Sequence, residues 1–239
     1  MSAPLTDWHM GIRTVGVVGS GQMGNGIAQV AACSGIGVTM VDIKQEFLDR
    51  GISSISNSLE RLVSKGRMSR EEAESAFSRI DYSVGLGALS DCDLVVEAIP
   101  EIPELKFSTF AELDSICKPE AILASNTSSI SINDIAAHTN RADRVIGMHF
   151  MNPVPIMKLV EIINGSQTSE EVTAEVIGVS ENMGKTPLSC KDSPGFVSNR
   201  ILMPMINEAI LTLQEGVAEP EAIDGIMKKF GLKNYCIQL

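Results

Sequence analysis

The 239-residue sequence has few aromatic residues, few histidines and no surplus of positive charge. Phe, Trp and Tyr make up 4% of the residues, and there are three His. The net charge of −11 argues against sequence-independent binding of nucleic acid, which needs a surface rich in Lys and Arg. No run is long and apolar enough to predict a membrane-spanning helix. We therefore expect a soluble protein that binds neither nucleic acid nor membrane.

The five Cys residues include no Cys-x-x-Cys pair, and their number is odd. This argues against a disulfide scaffold and is typical of free thiols in a reducing compartment, most simply the cytoplasm. The mitochondrial matrix and the peroxisome stay open as alternatives. The three His do not cluster with the Cys, so no metal site is predicted. Residues 1–12 contain no Lys or Arg and no apolar core of signal-peptide length, and we interpret them as an N-terminal extension.

Short apolar runs alternate with amphipathic stretches over residues 13–191. This alternation predicts an α/β domain of the Rossmann type with a mostly parallel sheet. The predicted strands are TVGVV, VTMVD, LVVEAI, AILAS, RVIGMHF, IMKLVEII and TPLSC. The predicted helices are Gln22–Ser34, Gln45–Lys65, Ser69–Phe77, Glu104–Cys117 and Ser169–Met183. After that the strands end, and Pro194–Glu215 and Pro220–Phe230 predict a helical domain over residues 192–239.

The first predicted strand runs into the sequence GSGQMG, in which Gly19, Gly21 and Gly24 fit the pattern G-x-G-x-x-G. In a strand–turn–helix unit these glycines allow a tight turn and the close approach of a pyrophosphate, and the intervening Gln22 and Met23 open the helix. Asp42 ends the next strand, 18 residues after Gly24. A carboxylate there accepts hydrogen bonds from a ribose and disfavours a 2′-phosphate, which predicts NAD as the cofactor. The alternative is an ordinary turn followed by a strand-terminating Asp.

His149 follows an apolar strand, and Glu161 lies inside the next one, between Val160 and Ile162. A buried carboxylate is costly unless another group compensates its charge. Because a turn separates the two strands, His149 and Glu161 can lie side by side, where the carboxylate would stabilise the imidazolium and fix its tautomer. This is the arrangement of a proton-transfer site. A structural ion pair in the core explains the same pattern.

Other polar residues occur at positions that could face such a site. The stretch Ser125–Ile130 follows a strand on the same edge of the sheet and offers hydroxyl and amide donors. It could equally cap the helix after Ser131. Asn199 lies in the first helix of the second domain, where it could face the site or simply be on the surface.

Together these motifs resemble the 3-hydroxyacyl-CoA dehydrogenase family, particularly its 3-hydroxybutyryl-CoA dehydrogenases. The similarity extends from about Arg13 to Met227. The strings that carry it are VGVVGSGQMGNGIAQ, LVVEAIPE, ASNTSSI, GMHFMNPVPIMKLVEI, SCKDSPGF and NRILMPMINEA. The resemblance implies NAD-dependent oxidation of a 3-hydroxyacyl-CoA to a 3-ketoacyl-CoA, and the reverse reaction, with a short acyl chain in fatty-acid or butanoate metabolism.

The resemblance also implies roles for individual residues. His149 would be the catalytic acid and base, and Glu161 its orienting carboxylate. Ser128 and Asn199 would hold the oxygen of the substrate. Glu101 and Lys106 would line the nicotinamide side of the cofactor site.

Three further positions match the family on the substrate side. Ser58 and Lys65, on the second helix, would contact the CoA moiety, with Asn152 also close to the substrate. From the sequence alone, Ser58 and Lys65 could equally belong to a solvated helix face.

The helical domain of the family is longer than residues 192–239, so the resemblance implies an incomplete second domain. Full-length members form homo-oligomers, commonly dimers. The alternative is a protein of the same fold that binds NAD or CoA without catalysis, or has a structural role. Another two-domain dehydrogenase, acting on a sugar derivative, is a third possibility that the HFMNPVP and NTSS strings disfavour.

Overall fold

The computed structural model describes residues 11–231, which divide into two compact units. The first unit ends at Ser193 and the second begins at Pro194. The strands of the first unit are β1 (Thr14–Val18), β2 (Gly37–Asp42), β3 (Ile80–Val84), β4 (Leu94–Glu97), β5 (Ile122–Ser125), β6 (Val145–Phe150), β7 (Leu159–Asn164) and β8 (Thr186–Lys191). Its helices are α1 (Gln22–Cys33), α2 (Gln45–Ser64), α3 (Arg70–Phe77), α4 (Pro103–Ile116), α5 (Ile132–Ala136) and α6 (Glu170–Asn182), with 3₁₀ turns at Leu86–Leu89 and Ala142–Arg144. The second unit contains α7 (Ser198–Gln214) and α8 (Pro220–Phe230).

All eight strands form one sheet in the order β3-β2-β1-β4-β5-β6-β7-β8. Strands β1 to β6 are parallel to one another, β7 is antiparallel to β6, and β8 is parallel to β7. Every residue of β4, β5 and β6 is buried, because helices cover both faces of the sheet. The predicted fold class, a mostly parallel Rossmann-type sheet followed by a helical unit, is confirmed.

The order of the first six strands places their carboxyl ends along one edge of the sheet. Gly19, Glu97, Asn126 and His149 all lie at or just after these ends. In open α/β sheets ligands bind at this edge. The topology therefore brings residues that are far apart in sequence to a common location.

Strand β3 was not among the predicted strands. Its sequence, IDYSV, is polar, and only Ile80 is buried. It pairs with β2 alone, at the edge of the sheet, where one side of the strand needs no apolar cover. Hydrophobic runs predict central strands well and miss edge strands of this kind.

Two other segments begin later than the sequence predicts. Helix α7 begins at Ser198 and not at Pro194, because Gly195 and Phe196 have positive φ angles of 76° and 50°. Strand β7 begins at Leu159 and not at Ile156. The preceding residues form a turn around Pro153 and Pro155, which have no backbone N–H to donate to a sheet.

The core of the first unit lies between the sheet and its helices. Helix α1 packs so closely that a Cβ added to Gly26 would lie 2.8 Å from the Cβ of Val154. Val154 belongs to the loop between β6 and β7 and is 1% exposed. This contact holds that loop against the helix that follows the glycine turn. In the second unit α7 and α8 pack through Ala209 and Ile223.

None of the helices within residues 11–231 is long and apolar enough to cross a membrane.

The four Cys in this range are free thiols, and Cys236 lies outside it. The range also contains no group of three His, Cys, Asp or Glu that could hold a metal ion. The proposed extension falls almost entirely outside the described residues, as do residues 232–239 of the helical domain.

Candidate active site

The glycine turn between β1 and α1 has two residues that must be glycine and one that the fold itself does not restrict. Gly19 has a φ of +94°, and a Cβ there would lie 2.8 Å from the carbonyl oxygen of Ala98. A Cβ on Gly24 would lie 1.7 Å from the carbonyl oxygen of Gly19. Gly21, in contrast, has an extended backbone and no heavy atom within 4 Å of a built Cβ. Its missing side chain leaves open space beside the backbone, which suits close approach by a pyrophosphate.

Gly21 is the N-cap of α1 and makes no side-chain capping bond. Gln22 and Met23 are the first two residues of the helix, and their exposed and half-buried positions leave the helix start accessible. Because the first amides of a helix have no intrahelical acceptors, they bind anions readily. The turn thus provides the donors and the space that a dinucleotide needs.

Asp42 lies at the end of β2, beside this turn. Its Oδ2 accepts hydrogen bonds from the backbone N–H and the hydroxyl of Ser20, at 2.8 and 2.7 Å. Its Oδ1 accepts a bond of 2.7 Å from the N–H of Ile43. Ser20 therefore fixes the orientation of the carboxylate relative to the glycine turn, and an oxygen remains able to accept a further bond. These residues fit an NAD cofactor.

His149 and Glu161 are directly opposed in the antiparallel pair β6–β7. Nδ1 of His149 lies 2.9 Å from Oε2 of Glu161, and the two residues are 6% and 4% exposed. On the other side of the imidazole, Nε2 lies 3.0 Å from Oγ of Ser128. A carboxylate on Nδ1 favours a proton on that nitrogen and leaves Nε2 to exchange protons with an oxygen. Chemically, this arrangement can act as a general acid and base with an orienting carboxylate.

The loop that carries Ser128 is held at both ends. The backbone N–H of Phe150 donates to Oδ1 of Asn126, at 2.9 Å, and so ties the loop to the strand that carries His149. Glu101 Oε1 accepts bonds from the backbone N–H of Ser128 and Ser129, at 2.9 and 3.0 Å, and from the hydroxyl of Thr127. The run of small polar residues thus positions Ser128, and Ser131 separately caps α5.

Lys106, which the family resemblance places on the nicotinamide side of the cofactor site, is 1% exposed. Its ammonium group lies 2.5 Å from Oε1 of Glu97 and 3.2 Å from Oε2 of Glu101. Within the described structure it supports Glu101, whose side chain is 39% exposed. Sequence reasoning missed Glu97, which reads as part of the apolar strand LVVE. The available signal was the carboxylate itself, which lies in an apolar strand as Glu161 does and needs a compensating group; Lys106, nine residues away, supplies it.

The remaining predicted residues lie on other elements. Asn152 is exposed in the loop after β6. Ser58 is half-buried on α2, and Lys65 is exposed at the C-cap of that helix. Asn199 lies in the first turn of α7, in the second unit. Their proposed contacts with substrate or CoA remain predictions.

The loop that carries Asn152 has an anchor that the sequence did not indicate. Lys185 is 9% exposed, and its ammonium group donates to the carbonyl oxygens of Val154 and Met157, the latter at 2.9 Å. Burial lowers the pKa of Lys185. The loop between His149 and Glu161 is therefore fixed by a buried cation as well as by α1.

A Rossmann-type sheet with a dinucleotide turn and a buried His–Glu pair at its carboxyl edge defines an NAD-dependent oxidoreductase. Residues 14–193 match the model of the 3-hydroxyacyl-CoA dehydrogenase NAD-binding domain. Residues 195–239 match the model of the C-terminal domain of 3-hydroxyacyl-CoA dehydrogenase. The chain belongs to the 3-hydroxyacyl-CoA dehydrogenase family.

Individual relatives support this assignment. The chain is 59% identical over 213 residues to a probable 3-hydroxybutyryl-CoA dehydrogenase of Deinococcus radiodurans, covering 89% of this chain and 76% of that protein. It is 50% identical over 220 residues to the 3-hydroxybutyryl-CoA dehydrogenase of Bradyrhizobium diazoefficiens, covering 91% and 74%. The crystal structure of (S)-3-hydroxybutyryl-CoA dehydrogenase from Ralstonia eutropha superposes with a TM-score of 0.89 at 51% identity, over 91% of this chain and 77% of that one.

Proposed function

We propose that this protein oxidises a short-chain (S)-3-hydroxyacyl-CoA to the 3-ketoacyl-CoA with NAD, and catalyses the reverse reduction. The hydrogen-bonded series Ser128–His149–Glu161, at the same carboxyl edge of the sheet as the glycine turn, carries the proposal. The relatives named above act, by their names, on 3-hydroxybutyryl-CoA, which supports a four-carbon acyl group as substrate.

His149 is the proton acceptor in this proposal. NAD held at the glycine turn would supply the acceptor for the hydride from the carbon that bears the hydroxyl group. Nε2 of His149 takes the hydroxyl proton, and the carboxylate of Glu161 stabilises the imidazolium that results. In the reverse direction the same nitrogen returns the proton to the keto oxygen.

Ser128 and Asn199 assist by holding the oxygen of the substrate. The Ser128 hydroxyl contacts Nε2 of His149, the nitrogen that must face the reacting oxygen. Both groups can therefore hydrogen-bond to the same substrate oxygen. For Asn199 this role rests on the family resemblance, which implies that its amide is a second donor. Glu101 and Lys106 support the cofactor side of the site.

The remaining predicted residues bind the two larger ligands. Gly19, Gly21, Gln22, Met23, Gly24 and Asp42 hold the dinucleotide. Ser58, Lys65 and Asn152 contact the substrate, with Lys65 supplying a local cation for the phosphates of CoA in an acidic protein.

The direct test is oxidation of NADH by the purified protein with acetoacetyl-CoA, followed at 340 nm. Turnover of acetoacetyl-CoA, with NADPH much poorer than NADH, is the expected result. Binding of NADH without turnover would instead indicate a protein that binds its ligands but does not catalyse the reaction. Replacing acetoacetyl-CoA with free acetoacetate tests the need for the CoA group.

A further inference from the structure

Glu97, at the end of β4, is a completely buried carboxylate with both oxygens engaged. Oε1 accepts bonds from Nζ of Lys106, at 2.5 Å, and from the N–H of Ile99, at 2.7 Å. Oε2 accepts a bond of 2.6 Å from the hydroxyl of Ser125. Glu97 is 0% exposed, so none of its atoms is accessible to solvent or to a ligand. A buried charge of this kind is stable only with its full set of partners.

Lys106 transmits the position of Glu97 to a second carboxylate. Its Nζ has three protons, and it contacts Glu97, the carbonyl oxygen of Ile99 at 3.2 Å and Glu101 at 3.2 Å. Glu97 and the carbonyl oxygen of Ile99 accept hydrogen bonds from the ammonium group, Glu101 lies within ion-pair distance of it, and the lysine itself is only 1% exposed. The lysine side chain therefore has one arrangement, which is set mainly by its shortest contact, to Glu97.

Glu101 in turn organises the loop of residues 126–129. Burial opposes ionisation of Glu101, but the hydrogen bond from Thr127, the charge of Lys106 and the bonds from Ser128 and Ser129 outweigh it and lower the pKa of the carboxyl group. The carboxylate is thus ionised at neutral pH and binds two consecutive backbone amides of the loop. One of these belongs to Ser128, whose hydroxyl lies 3.0 Å from Nε2 of His149.

We propose that Glu97 is a positioning residue, which acts through Lys106 and Glu101 to hold the Ser128 hydroxyl opposite His149. The inference rests on the proposed function, because it assigns a consequence to the placement of Ser128. Glu97 itself takes no part in the chemistry. A displacement of about 1 Å at a catalytic group can reduce turnover by about 100-fold.

The test is the Glu97→Gln variant, which keeps the size of the side chain and removes its charge. We expect kcat with acetoacetyl-CoA to fall about 10- to 100-fold. The Kd for NADH should rise by a smaller factor than kcat falls, because the variant disturbs Glu101 and Lys106 on the nicotinamide side but leaves the glycine turn untouched. A matched control is Asp114→Asn, which removes the charge from a half-buried pair elsewhere in the domain, Asp114 with Arg141 at 2.7 Å. That variant should lower Tm but leave kcat unchanged.

A double-mutant cycle with Ser128→Ala separates positioning from a general loss of stability. If Glu97 acts through Ser128, adding Glu97→Gln to Ser128→Ala lowers kcat no further. If the two substitutions instead lower kcat by independent factors that multiply in the double variant, the inference is overturned. It is also overturned if Glu97→Gln has a lower Tm than the parent but the same kcat.

Glu97→Gln leaves Lys106 with one carboxylate partner, and this protein could fail to fold. The variant that combines Glu97→Gln with Lys106→Met removes both buried charges and should restore folding. Its kcat should remain low, because Glu101 has lost its cation, whereas recovery of kcat together with Tm would overturn the inference. Absence of turnover in the parent protein would overturn the proposed function itself, whereas turnover in the parent that Glu97→Gln leaves unchanged would overturn this inference alone.

Discussion

Glu161 faces His149 across the antiparallel strand pair β6–β7, with 2.9 Å between its Oε2 and Nδ1 of the imidazole. The carboxylate is placed by backbone register and has little freedom to move. Replacing it with Gln keeps an oxygen that can accept the Nδ1–H bond but removes the charge.

We therefore expect Glu161→Gln to lower kcat about 10- to 100-fold, since a hydrogen bond to a charged group contributes about 1.5–3 kcal/mol. The measurement is steady-state oxidation of NADH with acetoacetyl-CoA. Glu170→Gln, in the exposed first turn of α6, is the control and should have no effect. An unchanged kcat in Glu161→Gln would remove the orienting role of this carboxylate.

His149→Gln should abolish most turnover and preserve cofactor binding. General acid–base catalysis contributes about 10²- to 10⁴-fold, and kcat should fall by that factor. NADH affinity, measured by fluorescence titration, should be unchanged, because the glycine turn lies on β1 and α1. His138→Gln is the matched control, since His138 stacks on Phe107, with 4.2 Å between ring centroids, away from this strand pair. Near-normal turnover in His149→Gln would exclude His149 as the proton acceptor.

Gly24→Ala should weaken folding, whereas Gly21→Ala should weaken binding of the cofactor and leave folding intact. Gly24→Ala places a methyl group against the carbonyl of Gly19 and should lower the free energy of unfolding by about 1–3 kcal/mol. Gly21→Ala meets no atom of the protein and should keep the parental Tm. It should nevertheless raise the Kd for NADH about tenfold or more, equivalent to about 1.4 kcal/mol. Unchanged NADH binding by Gly21→Ala would show that the cofactor does not approach this residue.

Asp93 provides a prediction about pH and stability. Its Oδ2 accepts bonds from the N–H of Arg13 and of Thr14, and its Oδ1 lies 2.5 Å from Nζ of Lys118. Burial opposes ionisation, but these bonds outweigh it and lower the pKa of the Asp93 carboxyl group. A carboxyl group with a lowered folded-state pKa stabilises the protein above its unfolded pKa, and that contribution disappears as the pH falls through the folded value.

Asp93→Asn should accordingly cost about 1–3 kcal/mol at pH 7, measured by urea unfolding. The difference from the parent should shrink below about pH 4, as the parental carboxylate is protonated. Asp81→Asn, at an exposed position of the edge strand β3, should be neutral at both pH values. A loss in Asp93→Asn that stays constant down to pH 3 would contradict the assignment.

The sequence predicted those parts of the structure that local patterns determine. Five of the six predicted helices before α8 are within two residues of their observed ends, and α8 agrees at both ends. Local motifs also predicted the glycine turn, Asp42 and the His149–Glu161 pair, because each depends on residues within one or two adjacent elements. Strand β3 was missed because its one buried residue, Ile80, gives no apolar run.

The polar network beneath the site could not be predicted in the same way. Glu97 ends β4, Lys106 lies in α4 and Ser125 ends β5, so their contacts exist only once these three elements have packed. The Glu in an apolar strand indicates that some group compensates its charge, but the sequence does not show that this group is a Lys in the following helix. The family resemblance pointed to Lys106 but gave no sign that its ammonium group is buried.

The antiparallel pairing of β6 with β7 links the activity of a molecule to the register in which these two strands have paired. Successive side chains of a strand point to opposite faces, so a one-residue slip of β7 would present Val160 or Ile162 to the imidazole in place of an acid. A misaligned chain would thus lack the carboxylate that orients His149 and would turn over much more slowly. Specific activity per mole of protein therefore reports the fraction of molecules in which β6 and β7 have paired in the native register.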